Sequence, residues 1–112
     1  MEDERAAALL RSERERVVGL LSAARAAAGE DRDAVNERGD IVDPAGWLAA
    51  EAGDDAVAAG LAGRLAAIER AEQRIAAGTF GRSVRSGVPI PDERLEADPA
   101  AELTVEEAQE AR

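Results

Sequence analysis

The sequence predicts a mostly α-helical protein, an antiparallel two-helix coiled-coil hairpin followed by a small C-terminal module. Three observations indicate this class. Ala makes up more than half of the 46% apolar content, and Ala favours helix while burying little surface. Two long segments carry apolar residues at coiled-coil spacing, with no proline in their interiors. The last third of the chain is instead interrupted every few residues by Gly or Pro.

The first predicted helix runs from Asp3 to Ala28. Its apolar residues recur along one narrow face, in a coiled-coil pattern made of Leu10, Val17, Leu21, Ala24 and Ala28. The rest of its surface carries interleaved Glu and Arg, as expected of a solvated face. Gly29 directly follows the last apolar position, so we expect this glycine to end the helix.

An acidic connector is predicted to join the two helices at the tip of the hairpin. It covers approximately residues 30–46 and is rich in Asp, Gly and other turn-forming residues. A short helical turn is expected around Asp33 to Arg38. Such a polar segment is typical of a solvated connection, and that remains an alternative to any binding role.

The second predicted helix starts near Pro44 or Trp47 and ends at Gly78. Asp43 and Pro44 suit the N-cap and first helical positions. A second coiled-coil face runs along this helix, and Glu72 is its one polar residue. The face consists of Val57, Leu61, Leu65, Ile68, Glu72 and Ile75. We expect an antiparallel hairpin because the two helices have similar length and the connector is short.

The remaining segment forms the predicted C-terminal module, so that residues 1–78 form the hairpin and residues 79–112 the module. Its candidate core residues are Phe80, Val84, Val88, Ile90, Leu95, Leu103 and Val105. Thr104-Val105-Glu106-Glu107 matches a capping box, in which the Thr and Glu side chains satisfy each other's backbone donors. This motif predicts a short final helix.

Composition excludes several classes of function. A net charge of −10 argues against a protein that binds the phosphates of nucleic acid, and no helix-turn-helix pattern is visible. The absence of Cys and His removes thiolate metal sites, thiol nucleophiles and imidazole bases, so we expect no enzyme. No uncharged stretch approaches the length of a membrane span, and the start is acidic where a signal peptide would be basic. We therefore expect a soluble, cytoplasmic protein with no membrane contact.

A set of short motifs in the C-terminal third resembles a known family. They are Ala77-Gly78-Thr79-Phe80-Gly81, Gly87-Val88-Pro89-Ile90-Pro91, Arg94-Leu95-Glu96-Ala97, Pro99 and Ala100. In this order they resemble the C-terminal zinc finger of the DksA/TraR family of bacterial transcription regulators. The resemblance covers about residues 70–109 in detail and the helical hairpin in layout alone. It implies that the C-terminal module is finger-like.

The family's zinc-binding cysteines are missing from this sequence. The resemblance implies two Cys-x-x-Cys pairs around one zinc ion, and here the first pair falls on Ser83 and Ser86. The second pair falls on Thr104 and Glu107. Hydroxyls are poor zinc ligands at neutral pH, and one carboxylate cannot replace four thiolates. We therefore expect a degenerate finger with no metal and no other cofactor.

The resemblance also implies a partner, RNA polymerase, whose secondary channel receives the coiled coil of family members. Acidic residues at the coiled-coil tip act there, near the active site. By resemblance, Asp43-Pro44 lies where the family carries Asp-Pro, and Asp40 offers a second carboxylate. The family's second acid, three residues after the first, is replaced by Gly46 in this sequence.

Several alternatives remain open from the sequence. Trp47 beside the tip either packs at the hairpin turn or serves as an exposed anchor for a partner. The protein is either a regulator that binds polymerase without reading DNA sequence, or a non-catalytic coiled-coil scaffold. A monomer or a weak homodimer is expected, because Ala-rich seams can also favour a four-helix dimer. The sequence leaves open whether transcription is activated or repressed.

Overall fold

A computed structural model describes the backbone of residues 1–38 and 44–111, and the side chains of residues 1–29 and 55–111. The described residues contain four helices: α1 (Asp3–Arg38), α2 (Pro44–Ala77), α3 (Asp92–Ala97) and α4 (Val105–Glu110). The two long helices pack together, which confirms the predicted mostly α hairpin class. Within the described ranges there is no β-strand, and Arg82 and Pro89 form an isolated antiparallel bridge.

The chain divides into two compact units. The first comprises Met1–Glu15 and Leu65–Arg112, and the second comprises Arg16–Arg64. The first unit therefore combines the beginning of α1 and the end of α2 with the C-terminal module. The predicted domain boundary between residues 78 and 79 lies inside this first unit and stays a prediction.

In the first unit, α1 and α2 share a buried seam of small and medium-sized side chains. Leu10 and Ile68 are fully buried there, as are two alanines that the predicted seams did not include, Ala6 and Ala71. Arg14 of α1 pairs with Glu69 and Glu72 of α2 at the edge of this seam. Buried apolar side chains and ion pairs therefore both stabilise the contact between the facing sides of α1 and α2 in this unit.

In the second unit, α1 buries the predicted positions Val17, Leu21 and Ala28. On α2, Leu61 is half-buried as expected of a seam residue. The prediction is wrong for Val57, because 56% of this residue is exposed. Two of the six predicted seam residues in this part of the hairpin, Ala24 and Ala28, are alanines, whose short side chains bury little surface of a neighbour.

The first helix does not end at Gly29, contrary to the prediction. It continues to Arg38 and includes the turn that was expected within the connector. Gly29 does not have the positive φ that a helix-ending glycine adopts. A glycine inside a helix costs only about 1 kcal/mol relative to Ala, and the flanking Ala, Glu and Arg residues favour helix strongly enough to offset that cost.

The second helix ends at Gly78, as predicted. Gly78 has a φ of 77°, a conformation that side-chain-bearing residues rarely adopt. Its N–H donates to the carbonyl of Ile75 (3.1 Å), and the N–H of Thr79 donates to the carbonyl of Arg74 (2.9 Å). This pair of bonds is a Schellman motif, which satisfies two carbonyls at the helix end. No helix in the described part of the chain has the length and apolar character that a membrane span requires.

The C-terminal module has a small core of its own. Ile90, Leu95 and Ala101 form a buried cluster, against which Phe80 and Met1 pack. Leu95 lies on α3, a helix that the sequence did not predict.

The prediction of a buried core position is wrong for three residues of the module, because 56% of Val84, 51% of Val88 and 45% of Val105 are exposed. Leu103, by contrast, is half-buried. A module this small has room for few buried side chains, so the remaining apolar residues stay at its surface.

Candidate functional site

The predicted tip residues lie at the limit of the described structure. Asp40 and Asp43 fall outside the described residues. Trp47 lies in the first turn of α2, and its side chain is outside the described part. The roles assigned to these three residues therefore stay predictions.

The four positions predicted to replace zinc ligands come together in the C-terminal module. Residues 83–88 form a tight turn, here called the knuckle loop. It is closed by the N–H of Ser83 donating to the carbonyl of Val88 (2.8 Å) and by that of Gly87 donating to the carbonyl of Ser83 (2.9 Å). The N–H of Val84 donates to the carbonyl of Glu102 (2.9 Å), which joins the loop to the segment before α4. The loop thereby brings Ser83 next to the start of α4.

The side chain of Ser83 connects the knuckle loop to α4. Its Oγ donates to Oε2 of Glu107 at 2.9 Å, and the residue is only 4% exposed. The same Oγ accepts the backbone N–H groups of Arg85 (3.1 Å) and Ser86 (3.2 Å). All of its hydrogen-bonding capacity is therefore used. Ser86 is exposed, and its own Oγ accepts the N–H of Val88 at 3.3 Å.

Thr104 and Glu107 form the predicted capping box at the start of α4. Oγ1 of Thr104 accepts the N–H of Glu107 at 3.2 Å, and Oε1 of Glu107 accepts the N–H of Thr104, also at 3.2 Å. The Thr104 hydroxyl donates to the same Oε1 at 3.0 Å. The capping box is confirmed, and its Glu also reaches across to the knuckle loop, which the motif alone does not imply.

These contacts stabilise the charged form of Glu107. The hydrogen bond from Ser83 is the main cause that lowers the pKa of this carboxyl to about 2. The backbone and hydroxyl of Thr104 and the hydroxyl of Ser86 lower the pKa further, while desolvation acts in the opposite direction. A carboxylate that accepts several hydrogen bonds at once stays ionised well into the acidic range.

The donor set at this position does not fit a structural zinc ion. It offers three hydroxyls and one carboxylate, whereas structural zinc sites use four thiolate or imidazole ligands. The hydroxyls of Ser83 and Thr104 are already bonded to Glu107 and to backbone N–H groups. Among the described side chains, no group of three or more acidic residues could hold a metal ion either.

Ion pairs connect the module to the long helices. Arg70 of α2 binds the Glu102 carboxylate through two nitrogens, at 2.7 and 3.3 Å, and this contact lowers the pKa of Glu102. Arg5 of α1 binds Glu96 in the same bidentate manner, at 2.5 and 2.6 Å, which lowers the pKa of Glu96. Three of these four side chains are exposed and that of Glu102 is half-buried, so each pair contributes more to orientation than to stability.

The beginning of α1 is docked onto the module as well. The amino group of Met1 pairs with Oδ1 of Asp92 at 2.7 Å, and the Met1 side chain packs against the module's core. The sequence analysis did not identify this contact or the pairing of Arg5 with Glu96. The partners are 91 residues apart in the sequence, and their charges look like those of any solvated helix face.

The fold is similar to that of a solved structure, the transcription factor DksA2 from Pseudomonas aeruginosa. The similarity has a TM-score of 0.79, covers 97% of this chain and 81% of that chain, and accompanies 24% sequence identity. No model of a protein family matches the chain, and no curated protein matches it. The chain therefore has a DksA-like fold, while its sequence has diverged far from this neighbour.

Proposed function

We propose that this protein is a transcription regulator that binds RNA polymerase directly, with the coiled-coil tip entering the secondary channel of the enzyme. The observation that carries the proposal is the fold similarity to the transcription factor DksA2, which extends over nearly the whole chain. At this level of identity the similarity concerns the fold. The step from fold to partner is the part that an experiment has to test.

The motif that resembles the DksA/TraR family supports the proposal, because its residues build the C-terminal module. Ile90 and Leu95 lie in the module's core, and the Nε of Arg94 donates to the carbonyl of Leu103 at 2.7 Å. Glu96 binds Arg5 of α1. The resemblance therefore rests on residues with identifiable packing roles in this chain.

The charge of the molecule supports a protein partner rather than DNA. A net charge of −10 repels phosphates, so we propose no direct sequence-specific DNA binding. Carboxylates at the tip, such as Asp40 and Asp43, suit a channel that contains basic side chains and Mg²⁺. The proposed regulator is cytoplasmic and non-enzymatic, and it requires no metal of its own.

The test is a binding and transcription assay with purified core polymerase from a bacterium. We expect the protein to co-purify with polymerase and to change transcript yield at a promoter that forms unstable complexes. The double variant Asp40→Ala and Asp43→Ala should lose the effect on transcription, because it removes the tip carboxylates. In the absence of polymerase, the protein should leave the electrophoretic mobility of promoter DNA unchanged.

The matched control is the double variant Glu93→Ala and Glu106→Ala, which removes the same charge from exposed positions of the C-terminal module. This control should keep the full effect, because it leaves Asp40 and Asp43 in place. If the wild-type protein neither binds polymerase nor alters its transcript yield, the proposal is wrong. Equal loss in the two double variants would assign the effect to net charge rather than to the tip.

A second candidate function is that of a non-catalytic coiled-coil scaffold. The observation that favours it is the exposure of apolar side chains on the two long helices, namely 45% of Val18, 45% of Leu20 and 56% of Val57. An exposed apolar side chain on a helix can pack against a helix of another copy. This candidate requires self-association, which is measurable directly.

A further inference from the structure

We propose that Glu107, Ser83 and Thr104 form a metal-free staple that joins the knuckle loop to α4, at the position where the family resemblance implies a zinc ion. The staple closes the module through hydrogen bonds to a central carboxylate. This inference concerns how the module folds and does not depend on polymerase binding. It goes beyond the capping box, because a capping box involves only the residues of its own helix.

The arrangement inverts the charges of a zinc site. In a zinc finger, anionic thiolates converge on a cation. Here hydrogen-bond donors converge on an anion: the hydroxyl of Ser83 donates to Oε2 of Glu107, and the hydroxyl and N–H of Thr104 donate to Oε1. Hydrogen bonds to an ionised acceptor are about twice as strong as neutral ones. The carboxylate can therefore hold two chain segments that would otherwise need a metal.

The hydrogen-bond count explains why a carboxylate is required at position 107. The Ser83 Oγ already accepts two backbone N–H groups, so its own proton must be donated to an acceptor. The Thr104 Oγ1 accepts the N–H of Glu107 and must also donate. The two segments donate to different oxygens of the carboxylate, Ser83 to Oε2 and Thr104 to Oε1. A Gln side chain offers one oxygen and would turn its NH₂ group towards one of the two hydroxyls.

The staple joins residues that local structure alone would not bring together. Ser83 and Glu107 are 24 residues apart, and the chain between them passes through the module's core and α3. The backbone bond between Val84 and Glu102 runs alongside the staple. Loss of the Ser83–Glu107 contact should therefore loosen the knuckle loop, while α1 and α2 keep their own packing.

The test is a double-mutant cycle with Ser83→Ala, Glu107→Gln and the combination of both. The readout is amide hydrogen exchange, followed by NMR at the N–H groups of Val84 and Gly87. Their backbone acceptors remain in every variant, whereas total helix content would report mainly on the hairpin. Each single variant should raise these exchange rates several-fold, in line with the loss of a charge-assisted hydrogen bond. The amide exchange rates of the double variant should be no higher than those of whichever single variant exchanges faster.

Glu106→Gln is the matched control. It removes the same charge one residue away on the same turn of α4, from an exposed side chain. Exchange rates in this variant should equal those of the wild-type protein. The staple is ruled out if the effects of the two single variants multiply in the double variant, or if Glu106→Gln raises exchange as much as Glu107→Gln does.

A zinc experiment tests the other half of the inference. Equimolar zinc chloride and a chelator should each leave the melting temperature of the wild-type protein unchanged. A variant with Ser83→Cys, Ser86→Cys, Thr104→Cys and Glu107→Cys should bind one zinc ion per chain and become sensitive to the chelator. An increase in the wild-type melting temperature with zinc, lost in Glu107→Gln, would overturn the metal-free staple. A four-cysteine variant without zinc affinity would contradict the claim that the staple lies at the position of a zinc site.

Discussion

Glu107 joins two segments of the chain through a side chain that serves two roles. It completes the cap of α4 with Thr104 and accepts the buried hydroxyl of Ser83 from the knuckle loop. Both roles require the ionised carboxylate. Protonation places a hydrogen on one of the two oxygens and removes the charge that strengthens both contacts, so the stability of the module is linked to pH through this residue.

The pKa of Glu107 predicts the direction of that link. Its folded-state pKa, about 2, lies below the ordinary value of 4.5, so the folded state binds this proton less readily than the unfolded state does. The stabilisation is therefore complete above pH 4.5 and is lost as the pH falls from there towards 2. Amide exchange in the module, measured from neutral pH down to about 3, should show the knuckle loop opening over this range.

Glu107→Gln should flatten this pH dependence without abolishing it. Glu96 and Glu102 also have pKa values lowered by their arginine partners, so they leave a residual sensitivity to acid. An identical pH profile in the variant and the wild-type protein would contradict the role assigned to Glu107.

The ends of the helices depend on backbone conformation more than on residue type. Gly78 adopts a positive φ and ends α2 in a Schellman motif, whereas Gly29 and Gly63 lie within helices. The same residue type therefore ends a helix at one position and is tolerated inside helices at others. The difference is physical: a glycine stops a helix only where the following chain can form the bonds that satisfy the last carbonyls.

Gly78→Ala and Gly63→Ala should change stability in opposite directions. A Cβ at either position meets no atom within 4 Å, so packing is not the cause. Ala at position 78 must adopt a left-handed conformation, which should lower the free energy of unfolding by about 1 kcal/mol. Ala at the exposed helical position 63 should raise it by about 0.5–1 kcal/mol.

Urea unfolding followed by circular dichroism measures both changes. Equal signs for the two variants would contradict the assignment of Gly78 as the helix end. The comparison is controlled internally, since each substitution adds one methyl group, one inside α2 and one at the residue that directly follows it.

At the scale of the whole molecule, a strong negative charge opposes the association that exposed apolar residues favour. The net charge is −10, and Val18 and Leu20 of α1 are each 45% exposed. Apolar contact between two copies would bring like charges together. The balance predicts a monomer or a weak homodimer, with association that strengthens when salt screens the charges.

Sedimentation equilibrium tests this balance. The mass should stay near the 11.7 kDa of one chain at micromolar concentration and rise at high concentration and high salt. Val18→Glu with Leu20→Glu should abolish the rise. The control, Ala8→Glu with Ala23→Glu, adds the same charge at exposed positions and should reduce the rise less. A tight dimer at all concentrations would instead favour the scaffold function.

The sequence predicted the features that depend on neighbouring residues. The two long helices, the stop at Gly78 and the capping box of Thr104 and Glu107 all follow from spacing within a few residues, and the structure confirms them. It also predicted most of the buried positions on α1, because helical periodicity alone defines one face. The DksA-like fold followed from a short motif resemblance that the structural neighbour confirms.

Features that depend on distant residues or on competing small energies were not predictable. α1 continues through Gly29 because the energetic cost of one glycine in a helix is smaller than the helix preference of the neighbouring residues. Val84, Val88 and Val105 are apolar but exposed, since the limited volume of the module decides which side chains it buries. No local pattern indicates that Met1 reaches Asp92.

Sequence alone thus determined the helical hairpin, the acidic character and the absence of thiolate ligands, because propensity, charge and residue type belong to the chain itself. Only the tertiary structure decided that Ser83 donates its proton to Glu107, since the two residues lie on different segments and meet through folding. That contact converts a set of missing zinc ligands into a hydrogen-bonded centre. Its physical basis is an anion surrounded by donors, a condition that depends on three-dimensional proximity and not on residue order.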